Sequence, residues 1–168
     1  EDRPVLFKNV RDGSFEDQAA KLGLAAAGPF RASAAGDVNK DGFTDFFLGG
    51  EGASAIALSD GRGGFRTEPL PQAARSALAA QLFDYDNDGL LDLLVATAKG
   101  PRLLRNLGAS WADVSAAAFP GGGRSATAAA LAVADLDADG DQDVLLATAE
   151  GLRVLTNEGG NRNRSFAL

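Results

Sequence analysis

Three windows of this sequence repeat one arrangement of oxygen-bearing side chains: "DVNKDGFTD" from residue 37, "DYDNDGLLD" from 84 and "DLDADGDQD" from 135. They carry three, four and five aspartates, which is 12 of the chain's 23 acidic residues. Carboxylates about 4 Å apart repel by on the order of 4 kcal/mol at an effective dielectric near 20, so crowding of this kind needs a counter-charge. The windows begin 47 and 51 residues apart, which makes them landmarks of an internal repeat.

The stretches around the landmarks repeat as well. Each window follows a run of small residues ("FRASAAGD", "LAAQLFD", "ALAVAD") and precedes an apolar run. A second apolar run comes next ("SAIALSDG", "PRLLRNLG", "LRVLTNEG"), then an aromatic segment ("GGFRTE", "ASWADVS", "NRSFAL"). Short apolar runs bounded by Gly, Asn and Asp read as strands joined by hairpins, four to a unit. The N-terminal "VLFKNVRDGSFED" matches only the third and fourth strands, so the expected total is two plus three times four, fourteen strands.

Four-stranded units at this period are the signature of β-propeller blades, and alanine in the first strand suits the crowded axis of such a ring. The expected fold is all-β and amounts to about three and a half blades, half of a seven-bladed propeller. It divides roughly into a half blade over 1–30 and blades over 31–79, 80–120 and 121–168. Helical signal is confined to a turn or two at 16–24 and 71–80, with Pro71 suited to a first helical position. Pro120 and the three glycines after it read as a linking loop; a phosphate cradle would need a lysine and hydroxyl at fixed spacing, and none follows. Asn106 and Asn157 are expected to serve turns after the third strand. Phe15, Phe65, Trp111 and Phe166 recur at one strand position and are expected in the blade core.

A hard divalent cation answers the crowding. Calcium takes six to eight oxygens, and alternate residues of a tight loop direct side chains to one point while a backbone carbonyl fills another place. The first loop offers Asp37, Asn39, Asp41 and Asp45 with the Phe43 carbonyl. The second offers Asp84, Asp86, Asp88 and Asp92 with that of Leu90, and the third Asp135, Asp137, Asp139 and Asp143 with that of Asp141. Gly42, Gly89 and Gly140 permit the backbone reversal. An EF-hand requires Glu at position 12, where this chain has Leu48, Val95 and Leu146, so the ions are assigned to hairpin loops. Magnesium keeps more of its waters and suits the loops less well. Loop one, with an amide in place of one carboxylate, is expected to bind most weakly.

Composition removes other classes. A net charge of −7 opposes nucleic-acid binding, and the absence of Cys and His removes disulfides, thiolate metal sites and the commonest general base. No apolar run is long enough to span a bilayer. The lack of methionine implies a processed chain or an excised part of a longer one. Asp17, Glu51, Glu68, Asp113 and Glu150 remain for carboxylate chemistry, but their spacing marks no catalytic pair, so a non-catalytic interaction module is expected, with a carboxylate-dependent glycan-active enzyme or a self-assembling propeller fragment with no ligand of its own as the alternatives.

With its three loops, its "LFKN", "LLRN" and "VLTN" strands and its aromatics, the chain resembles the calcium-loop propeller repeats of the VCBS and FG-GAP families. That group includes the integrin α-subunit propeller; the closer likeness is to the bacterial branch that precedes an ASPIC/UnbV segment. The resemblance implies three calcium ions, adhesion or binding of a protein or glycan ligand, and an extracellular or periplasmic location where calcium is plentiful. Open blade faces further imply either closure by the rest of a longer chain or a homodimer. In the homodimer two sets of fourteen strands make twenty-eight, with the N-terminal strands of each copy completing a split blade of the other.

Overall fold

The computed structural model describes residues 4–24, 30–120 and 127–159. It is all-β, in four antiparallel sheets. β1 (Phe7–Asn9) and β2 (Phe15–Asp17) form a hairpin. The first full sheet runs β3 (Phe30–Gly36), β4 (Asp45–Gly50), β5 (Ser54–Ser59), β6 (Phe65–Pro69) in spatial as well as chain order. β7 (Ala77–Phe83), β8 (Asp92–Thr97), β9 (Gly100–Asn106) and β10 (Trp111–Asp113) repeat the meander. β11 (Ala128–Ala134), β12 (Asp143–Thr148) and β13 (Gly151–Leu155) begin a third. Its expected outer strand, "NRSFAL" with Phe166, lies outside the described residues, as do the three glycines at 121–123.

Each first strand carries a register shift at the same place, between Phe30 and Ala32, Ala77 and Ala79, and Ala128 and Ala130. A bulge bends and further twists its strand. The three bulged strands neighbour one another, β3 beside β7 and β7 beside β11. Their small side chains allow that approach.

β8 shows how the sheets stack. All six of its residues are buried; Leu93 and Val95 join a core shared with the first full sheet, including Phe47 and Ile56. Leu94 and Ala96 face the other way, into a core with Val144 and Leu146 of the third. Alternation along a strand buried on both faces yields a continuous apolar run, and hence "LLVAT". A smaller core joins the N-terminal hairpin to the first sheet through Leu6, Ala19, Leu48 and Phe65.

Helix is scarce. Residues 16–24 form part of β2 and then hydrogen-bonded turns, with Leu22 N–H to Gln18 O at 3.0 Å and Leu24 N–H to Ala19 O at 2.9 Å. In 71–80 a single 3₁₀ turn covers Gln72–Ala74, preceded by Pro71 as its cap rather than its first residue. From Ala77 the chain is strand, because pairing with β8 overrides alanine's helical preference. One unexpected helical turn, α1 (Ser115–Ala118), follows β10. No helix among the described residues is long and apolar enough to cross a membrane.

Candidate metal centres on the acidic loops

Each acidic window closes the hairpin between the first and second strands of its sheet, where Gly36 pairs with Asp45, Phe83 with Asp92 and Ala134 with Asp143. The three loops share one backbone. Position four is left-handed in all of them (Lys40, Asn87 and Ala138, φ 58°, 54° and 62°), as is the glycine at position six (φ 87°, 85° and 96°). The left-handed position four was not foreseen, because Lys and Ala carry no signal for it.

Side chains hold that backbone by accepting N–H bonds in the same pattern. The first aspartate accepts the glycine N–H, Gly42 to Asp37 at 2.8 Å, Gly89 to Asp84 at 2.8 Å and Gly140 to Asp135 at 3.1 Å. Asp41, Asp88 and Asp139 each accept the N–H two residues on, from Phe43, Leu90 and Asp141, at 2.9 Å. Backbone dipoles thus offset part of the crowding that the sequence alone poses.

The ninth position is the most anchored. Asp45, Asp92 and Asp143 are fully buried. One oxygen of each accepts the N–H of the loop's second residue, from Val38, Tyr85 and Leu136 at 3.0, 3.0 and 2.9 Å. The other accepts an N–H at the end of the third strand, from Ser59, Asn106 and Asn157 at 2.8, 2.7 and 2.8 Å. Burial pushes the Asp92 carboxyl up to about 7, against the N–H bonds from Asn106 and Tyr85. Burial also raises Asp45, Asp86 and Asp137; neighbouring carboxylates add to this in each case.

The carboxylates converge unequally. Asp84, Asp86 and Asp88 bring oxygens within 4.8 Å of one another, as do Asp135, Asp137 and Asp143. Asp92 and Asp139 stand outside these two groups. In loop one the Asn39 amide donates to Asp41 at 2.9 Å, so the amide serves its neighbour. The converging oxygens of loops two and three fit a hard divalent ion, whereas among the described residues Asp37, Asp41 and Asp45 of loop one form no such group.

FG-GAP-like repeats match this sequence over residues 37–95 and 84–146, well over half of its length. The chain belongs to the FG-GAP-like repeat family. The first match opens at the first aspartate of loop one and the second at that of loop two, so the repeat and the acidic loop share a starting point. No curated protein matches the sequence. Among solved structures, a lectin of Agrocybe aegerita, described for specific recognition of non-reducing terminal N-acetylglucosamine, is 20% identical with a TM-score of 0.60. The likeness covers 93% of this chain and 44% of that one, so this FG-GAP chain spans less than half of the lectin's length.

Two FG-GAP asparagines do more than serve turns. Asn106 accepts the Gly108 N–H at 2.9 Å, as a turn residue should, but its Nδ2 donates to the Val38 carbonyl of loop one at 2.8 Å and to Leu91 at 3.1 Å. Asn157 donates to the Tyr85 carbonyl of loop two at 2.9 Å. Each asparagine therefore clasps the loop of the unit before it. At the same place unit one has Ser59, whose hydroxyl accepts the Gly61 N–H at 3.2 Å as a turn residue does. The loops also touch directly, with Asn87 Nδ2 donating to Asp141 at 2.5 Å.

A cavity of about 730 Å³ opens between the second and third sheets beside loop two, lined by Tyr85, Arg105, Phe119, Gln142, Asn157 and Glu158 among others. The carboxylates left over for chemistry have local partners. Asp17 accepts the Leu6 and Ala19 N–H groups, Glu51 faces Arg31, Glu68 pairs with Arg66, Asp113 accepts from Ser115, and Glu150 pairs with Arg153.

Proposed function

We propose that this FG-GAP chain is a non-catalytic, calcium-stabilised propeller module that binds a protein or glycan ligand outside the cytoplasm. The observation that carries the calcium reading is the common backbone of three acidic loops, in two of which three carboxylates converge. Calcium would be held by Asp84, Asp86 and Asp88 in loop two and by Asp135, Asp137 and Asp143 in loop three. Loop one would use Asp37, Asn39, Asp41 and Asp45. The ion would supply charge neutralisation that ties the ends of paired strands together.

A ligand has a natural place in the cavity between the second and third sheets, where an aromatic ring, a guanidinium and amide groups meet. The lectin's described recognition of terminal N-acetylglucosamine supports including glycans among the candidates. Local engagement of Asp17, Glu51, Glu68, Asp113 and Glu150 favours binding over turnover.

Sheet faces at the two ends of the array invite a further unit. Phe7 and Phe15 are 63% exposed and Leu152 is 72% exposed, while Val154, in the place that Leu103 holds in the second unit, is 51% exposed against 3%. A second copy or the rest of a longer chain would cover them, and molar mass in solution distinguishes the two. Calorimetric titration with calcium tests the module itself. Heat of binding at one to three sites is expected, and a flat titration with a melt unmoved by chelator would refute the calcium reading. A glycan array, with terminal N-acetylglucosamine among its epitopes, tests the ligand.

A further inference from the structure

We infer that Arg105 is a built-in competitor for the cation of loop two, so that a divalent ion enters that loop by displacing its guanidinium. The inference rests on the calcium reading above and ranks the sites within it. Arg105 Nη2 lies 2.6 Å from Asp86 Oδ2 and 3.0 Å from Asp88 Oδ2. These are two of the three converging carboxylates of the loop. A guanidinium at that distance uses the lone pairs that a calcium ion would need at about 2.3 to 2.6 Å. The pair is sheltered, with the Asp86 side chain 7% exposed and that of Arg105 35% exposed, so solvent screens it only in part.

Comparison of the units shows that this cation is peculiar to the second. The residue before the N–H that anchors the ninth aspartate is Leu58 in unit one, Arg105 in unit two and Thr156 in unit three. Among the described residues no ion pair reaches Asp135, Asp137 or Asp143, so loop three has no such rival. A second positive charge leans on loop two from its other neighbour, because a methyl group on Gly89 would meet the Lys40 ammonium at 2.6 Å. Counting carboxylates at the first, third, fifth and ninth positions makes loop one the weakest site and loops two and three equal. The placement of Arg105 separates those two, with loop three the stronger. It also gives loop two a ready counter-charge when calcium is scarce, which keeps the unit folded without the ion.

Terbium provides a local probe, since Tyr85, the chain's single tyrosine, lies inside loop two and sensitises an ion bound there. Terbium luminescence and calcium calorimetry are compared for the unmodified chain, Arg105→Leu, which installs the residue of unit one, and Asp86→Asn, which disables loop two and identifies its signal. Arg105→Leu is expected to tighten loop two at least tenfold and to leave the affinity of loop three within twofold. Arg105→Gln makes the same test if the leucine variant does not fold. Unchanged or weaker binding at loop two in the neutral variants, with loop three still binding, would overturn the competitor role alone. No uptake at any loop would overturn the calcium reading and this inference together.

Discussion

Replacement of Asn106 by alanine tests whether the asparagine clasp joins neighbouring units. Asn106 is 2% exposed, and its amide makes three bonds, two donated to Val38 and Leu91 and one accepted from Gly108. A neutral hydrogen bond contributes about 0.5 to 1.5 kcal/mol net, and a buried group left without a partner costs about 1 to 3 kcal/mol. With two carbonyls deprived at once, and partial rescue by water, Asn106→Ala should lose about 2 to 4 kcal/mol. At roughly 2 to 4 °C per kcal/mol for a chain of this size, the melting temperature should fall by about 5 to 15 °C. Asn157→Ala gives up one inter-unit bond and should lose about 1 to 2 kcal/mol. Ser59→Ala, which gives up only the exposed turn bond from Gly61, should lose less than about 0.5 kcal/mol. Urea unfolding of the three variants under saturating calcium decides the matter. If Asn106→Ala costs no more than Ser59→Ala, the asparagines are turn residues only and the clasp has no energetic content.

Chelation of calcium should lower stability by about 2.7 kcal/mol for each site that had been held at a hundred times its dissociation constant, read by scanning calorimetry with and without chelator. Gly49→Ala should destabilise by about 1 to 3 kcal/mol in urea unfolding, because the added methyl would lie 2.7 Å from the buried Phe47 ring and 2.9 Å from the Ala77 Cβ. Leu104→Ala, at a fully buried position in the core between the first and second full sheets, should cost about 2 to 5 kcal/mol by the same measurement. Val154→Ala, at an exposed face of the third sheet, should cost less than about 1 kcal/mol in a monomer; a larger loss that depends on protein concentration would reveal a second copy seated there.

Much of this architecture is legible in one dimension because its causes are local. A loop of nine residues with glycine at the sixth place sets its own backbone, and the run "LLVAT" declares a strand buried on both faces. Repetition multiplies the signal: the spacing of three loops gives the unit length, and four apolar segments per unit give the meander. Legibility fails where small residues are ambiguous. "SALAA" reads as helix or strand by composition, and pairing with β8 makes it strand.

What the sequence by itself determined, then, is the strands and the places where oxygen donors gather, which depend on residues within about ten positions of one another, and the repeat, which is the recurrence of those local patterns along the chain. Tertiary structure decided the rest. Asn106 meets Val38 across 68 residues and Asn157 meets Tyr85 across 72, because stacked sheets bring successive units to the same level. The same stacking sets a guanidinium from β9 onto two carboxylates of loop two, and among the described residues loop three has no counterpart. It also separates Leu103, covered by the next sheet, from Val154, which holds the same place in its strand and faces outward. Charge neutralisation and burial depend on distance in space, and a repeat written almost identically three times acquires different neighbours at each position in the stack.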